Sequence, residues 1–217
     1  MTFDRFVRFA LAPMLAIGLL TATPARAALV FETVAGHPDD FGTYNSGLGI
    51  MTRFEVTDTV RLTSIAVEMD LRPASGGVKY LIFDAITGSV LFDSGAKNFL
   101  DDGMTFKPSD PFSFDLLPGR RYAIGAVANV FNDQSYVTPG GQSMGVITAL
   151  PGNHLAFDFG MPQLTLAQGS SDFLLGFVNG RVRLYAEDES AVPVPATTPL
   201  LGLGLLALSG AAVRRRR

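Results

Sequence analysis

The chain has 217 residues, a formal net charge of −3, and neither cysteine nor tryptophan. Without cysteine there are no disulfides, thiol nucleophiles or thiolate metal sites. Seven of the 17 basic residues and one of the 20 acidic ones lie in the first 26 and last four positions. The stretch from 28 to 190 is therefore left with ten basic and 19 acidic residues, near −9, a poor partner for nucleic acid or an anionic lipid surface.

In chain order, the first element is a secretory signal. Arg5 and Arg8 form a basic start, Phe9 to Ala22 an apolar run, and Ala25-Arg26-Ala27 a small-x-small cleavage site. The run is too short to span a membrane and contains Pro13, so residues 1–27 are expected to be removed, leaving Ala28 as the mature first residue.

Residues 28–190 are enough for one domain with a real core, and their pattern is that of strands. Ile65, Val67, Met69 and Leu71 alternate with Ala66, Glu68 and Asp70, and Phe112, Phe114 and Leu116 alternate with Ser113 and Asp115. Further strands are expected at Val78 to Asp84, Val90 to Asp93, Arg121 to Val130, around Phe157-Asp158-Phe159, and at Arg181 to Leu184. Turn signals separate them, among them Ser75-Gly76-Gly77, Leu117-Pro118-Gly119 and Pro151-Gly152-Asn153. No long amphipathic helix interrupts the series. The expected fold is all-β, a single sandwich of jelly-roll type.

Several residue groups within this domain invite a chemical reading. Gly141-Gln142-Ser143-Met144-Gly145 fits the nucleophile-elbow pattern of serine hydrolases. That motif needs a helix after the serine, and Pro151 follows too soon. His154 is the only later histidine, with no acid before it, so the Ser-acid-His order also fails. Glu68 and Asp70 point to one face of one strand, ~7 Å apart, within the spacing of an inverting glycosidase pair. Alternation on a solvent-facing strand accounts for them better, with Lys79 on the next strand of an expected hairpin as an ion-pair partner. Asp101, Asp102 and Asp110 form the candidate Ca²⁺ loop, although they lack a regular Asp-x-Asp spacing. Asp39 and Asp40 beside His37 are a weaker group of the same kind. Saccharide stacking favours Trp or Tyr platforms; here the aromatics are mostly Phe on apolar faces, leaving Tyr44 and Tyr136, expected in loops. No convincing acid-base set emerges, and the domain reads as non-enzymatic, without a required cofactor.

The last element is a tripartite tail, residues 191–217. Val192-Pro193-Val194-Pro195-Ala196 precedes an uncharged run from Thr197 to Val213, which as a helix is just long enough to cross a bilayer. Arg214, Arg215, Arg216 and Arg217 would hold its end on the cytoplasmic side. This ending resembles the PEP-CTERM class of bacterial sorting signals, more closely its Val-Pro-x-Pro-Ala variants; the namesake pattern has Glu where this chain has Val194. The resemblance implies recognition by an exosortase, a membrane-embedded cysteine protease. It also implies transient anchoring in the inner membrane, transfer to the cell surface or medium, and a structural or adhesive role in an exopolysaccharide matrix. Leu62 to Val127, with Phe83-Asp84-Ala85-Ile86-Thr87-Gly88 and Pro111-Phe112-Ser113-Phe114-Asp115, also resembles a β-sandwich module of exported proteins with such tails. A Ca²⁺-dependent carbohydrate-binding jelly roll is the alternative role.

Overall fold

The computed structural model describes residues 27–33, 41–72, 75–137, 142–165 and 179–187. The apolar signal run, His37, Asp39, Asp40, the sorting motif Val192 to Ala196 and Arg214 to Arg217 lie outside the described residues. So does most of the expected cleavage site; Ala27 is described.

The described residues form strands and their connections, with no helix among them. In order the strands are β1 (Ala27–Glu32), β2 (Phe41–Tyr44), β3 (Gly49–Val56), β4 (Val60–Arg72), β5 (Gly76–Asp84), β6 (Val90–Phe99), β7 (Thr105–Pro108) and β8 (Phe114–Leu116). There follow β9 (Arg121–Ala128), β10 (Phe131–Val137), β11 (Gln142–Met144), β12 (Ile147–Phe157), β13 (Gln163–Leu164), β14 (Asn179–Gly180) and β15 (Val182–Glu187). One antiparallel sheet runs β1-β15-β4-β10-β14, with β2, β7 and β8 attached to β10 and β4; the second runs β11-β12-β3-β9-β5-β6, with β13 on β12.

Period-two alternation makes β4 the spine of the first sheet. Ile65, Val67, Met69 and Leu71 are buried on its inner side, where they meet Tyr80, Ile82, Tyr122 and Ile124 of the second sheet in one core. Phe31 and Phe54 join the sheets edge to face, with ring centroids 5.2 Å apart. The two sheets are thus the layers of a sandwich. In the second sheet, β5 and β9 are largely apolar on both faces, and Met51 of β3 joins them. Met51, Leu81, Phe83, Ala123 and Val127 form a second buried cluster on the face away from the main core, with Phe159 and Leu164 packed against it. That double burial is why Val78 to Asp84 reads as an unbroken apolar run rather than an alternation.

The structure corrects three sequence expectations. β4 and β5 do not form a hairpin: β4 belongs to the first sheet and β5 to the second. The strand expected through Phe159 stops at Phe157, because Asp158 turns with φ 67° and its Oδ1 accepts from Gly160 N (2.9 Å) and Met161 N (3.0 Å). Finally Phe131–Val137 is a strand, although Asn132-Asp133-Gln134-Ser135 has the composition of a loop.

That polar strand is built into the interior. Gln134 Oε1 accepts from Ile50 N at 3.0 Å, and its Nε2 donates to Ala126 O (3.2 Å) and Asn132 Oδ1 (2.8 Å). These bonds sit where β3 and β9 pinch together: a Cβ on Gly49 would lie 1.9 Å from Ala126 O, and one on Gly125 2.2 Å from Ile50 O. Only glycine fits either place. Ala27, the residue the expected cleavage would remove, is the exposed first residue of β1 opposite Glu187, so β1 keeps Ala28–Glu32.

Candidate functional site

The groups singled out in the sequence are dispersed by the fold, and most already have partners. Ser143 lies on β11 of a strand-turn-strand hairpin, opposite Thr148, and its hydroxyl shares a 2.9 Å hydrogen bond with Thr148 Oγ1. The chain turns at Gly145 into β12, a strand and not the helix that an elbow needs. His154 lies on β12 beyond a bulge from Thr148, the pairing residue of Ser143, and pairs with Met51 of β3, four residues or roughly 13 Å along that strand from Glu55, the partner of Thr148. It is nearly buried. Burial first, and the charge of Arg53 second, pull its imidazole below the usual histidine value, partly opposed by a bond with the Thr165 backbone.

Glu68 and Asp70 do share the outer face of β4, as alternation predicts. Arg181 Nη1 grips both oxygens of Glu68, at 2.6 and 2.8 Å, and Arg183 pairs with Glu32 at 3.0 Å. Both guanidinium groups also lie over Phe106, 5.0 and 3.8 Å from its centroid. Asp70 instead faces Asp133 across the strands, and Arg72 contacts both, at 3.3 and 2.7 Å. A catalytic pair needs one free acid and one free base, whereas these carboxylates are held by arginines. Lys79, placed by β5 in the other sheet, pairs with Asp93 at 3.2 Å and with neither expected carboxylate.

The acidic loop is matched by lysines. Lys107, whose side chain is buried, donates to Asp102 Oδ1 and, at 3.1 Å, to Thr105 Oγ1; Lys97 pairs with Asp110 at 3.0 Å. The Lys107 hydrogen bond is the main reason the Asp102 carboxyl is held below the usual aspartate range. Asp101 is exposed on the same loop. Among the described residues no three acidic or histidine side chains are grouped as a metal site. Tyr44 and Tyr136 are not loop residues: they lie on β2 and β10 and are half-buried, and burial raises the Tyr44 phenol above its ordinary value.

One recess stands apart from these groups. It is a shallow, solvent-open depression of about 480 Å³ where β5 begins, β6 ends and the β9-β10 turn passes. It is lined by Ser75, Gly76 and Gly77, by the apolar Phe99, Leu100 and Val130, and by the carboxamides of Asn98 and Asn129. Gly77 N donates to Asn129 Oδ1 at 2.8 Å, which turns the Asn129 amide nitrogen away from that bond. A Cβ on Gly77 would sit 3.3 Å from Asn129 Nδ2 and 3.5 Å from Asn98 Oδ1, so a donor and an acceptor border the space that the missing side chain leaves. No lining side chain is ionisable, and Leu100 is three-quarters exposed. Sequence reasoning missed this recess, since its residues come from three chain segments and only the Gly-Gly turn marks any of them.

No family model matches the chain, and no curated protein matches it.

Proposed function

We propose that this chain is an exported, non-enzymatic protein that an exosortase-type system sorts to the cell surface or medium. Its jelly-roll-like domain serves there as a structural or adhesive part of an exopolysaccharide matrix. The tripartite tail, Val192 to Ala196 followed by an apolar run and four arginines, carries this reading. Signal peptidase and the exosortase are transient partners, the tail helix holds the protein in the inner membrane before processing, and the polysaccharide is the lasting partner. The jelly-roll assignment draws support from a chain that changes sheet from β3 to β4, from β4 to β5 and from β9 to β10. The non-enzymatic reading draws support from the arginine-held carboxylates and the separation of Ser143 from His154. The lysine partners of Asp102 and Asp110 favour a role without Ca²⁺ over the Ca²⁺-dependent alternative.

Processing tests it. Protein from the surface of a host with the matching exosortase should begin at Ala28 and lack Arg214 to Arg217 by intact-mass measurement. Deleting the exosortase should leave a membrane-bound form ending at Arg217. Surface protein that keeps Arg217 in the intact host, where other such tails are cut, makes the tail an ordinary anchor.

A further inference from the structure

The recess at the head of β5 has the chemistry of a binding site for an uncharged, hydroxyl-rich ligand. Its lining carries no charge, so an ionic ligand gains no partner there and loses hydration on entry. Its polar side chains are the Ser75 hydroxyl and two carboxamides, each able to donate and accept, as paired hydroxyls require. Asn129 is preset by its bond from Gly77 N, and Asn98 is exposed near it. The apolar wall of Phe99, Leu100 and Val130 suits the C–H face of a ring, and Leu100 is left largely in water despite its side chain. The two glycines let neighbouring side chains come close: a Cβ at position 76 would lie 2.5 Å from Val130, and one at position 77 would lie 3.3 Å from the Asn129 amide.

We infer that this recess binds an uncharged saccharide unit, with Asn98 and Asn129 bonding its hydroxyls over Gly77 and with Leu100 and Phe99 against its ring. The inference rests on the adhesive reading above and locates its contact. Lys97 and Lys107 lie 5.2 and 5.9 Å from the Phe99 ring centroid and are tied to Asp110 and Asp102; neither lines the recess.

Two variants probe the lining. Asn98→Ala removes an exposed amide, and Gly77→Ala adds a methyl group 3.3 Å from the Asn129 amide, which must shift by a few tenths of an ångström, with no backbone clash. Full-length protein in mild detergent would be applied to neutral hexasaccharides of glucose, galactose, mannose and N-acetylglucosamine, with polygalacturonate as the anionic control. At least one neutral oligomer should bind; Asn98→Ala should weaken it about tenfold, the effect of one lost hydrogen bond, with the unfolding midpoint unchanged, and Gly77→Ala should weaken it at least as much by displacing the Asn129 amide. Equal binding by wild type and both variants, preference for polygalacturonate, or no binding to any neutral oligomer at millimolar concentration overturns the assignment. Co-sedimentation with the host's exopolysaccharide separates the two readings. If wild type and variants sediment alike, the matrix role stands and the recess falls. If the wild type does not sediment at all, the matrix role falls, and the recess is judged on the oligomers alone.

Discussion

Gln134 satisfies three buried polar groups on the facing sheet and on its own strand, and shows how single residues set this domain's geometry. Leaving the Ile50 N–H without its acceptor costs about 1–3 kcal/mol, more than the roughly 1 kcal/mol that one made bond contributes net. Tyr122 acts in a related way: its hydroxyl accepts from Leu117 N at 2.8 Å and ties the start of β9 to the turn before it, as a tyrosine corner does. His154 gives a pH signature. Its native value lies below the unfolded 6.5, so the unfolded chain binds the proton first as pH falls. The stability it contributes is complete above pH 6.5 and is lost as pH drops through 6.5 toward the native value. Unfolding midpoints measured between pH 8 and pH 5 should fall in the wild type and flatten over that window in His154→Asn. Asp84, which backbone N–H groups of Thr87 and Ile86 hold below the usual aspartate value, loses its contribution only below about pH 4, outside the histidine window.

At the level of elements, the outer face of the first sheet is an ion-pair ladder. Glu32, Arg183, Arg181 and Glu68 lie on β1, the β14-β15 stretch and β4, with Phe106 of β7 beneath the two guanidinium groups. Exposed pairs of this kind contribute little, but the Arg181 and Glu68 side chains are only 20 % and 13 % exposed. Arg181→Met should therefore destabilise the domain by about 1–2 kcal/mol, between the values for surface and buried pairs, seen as a lower denaturant midpoint with an unchanged slope. The double variant Arg181→Met, Glu68→Gln should recover part of the loss, because it no longer leaves a half-buried carboxylate unpaired. The same ladder explains the charges alternating on β4: they are the solvent side of a strand whose other side is core.

For the whole molecule, the described residues all belong to one compact unit, Ala27–Asp188. Expressed without the two flanking segments, residues 28–190 should give a circular dichroism spectrum dominated by β signal. A helical share of a quarter or more would contradict the sandwich. The all-β class was legible from β4, β8 and β15, where apolar and polar residues alternate at period two. β10 was not legible, because four consecutive polar residues look like a loop until the opposite sheet supplies their hydrogen bonds. Nor was the crossing from β4 to β5: two strands joined by a Gly-Gly turn look like a hairpin, and only burial of both faces of β5 assigns it to the other layer. Local alternation depends on neighbours in the chain, so the strand class and the candidate acidic groups were determined by sequence alone. Which carboxylate meets which arginine or lysine, and which amides meet over Gly77, depends on contacts between residues tens of positions apart. Packing the two sheets makes those contacts, and tertiary structure alone decided them.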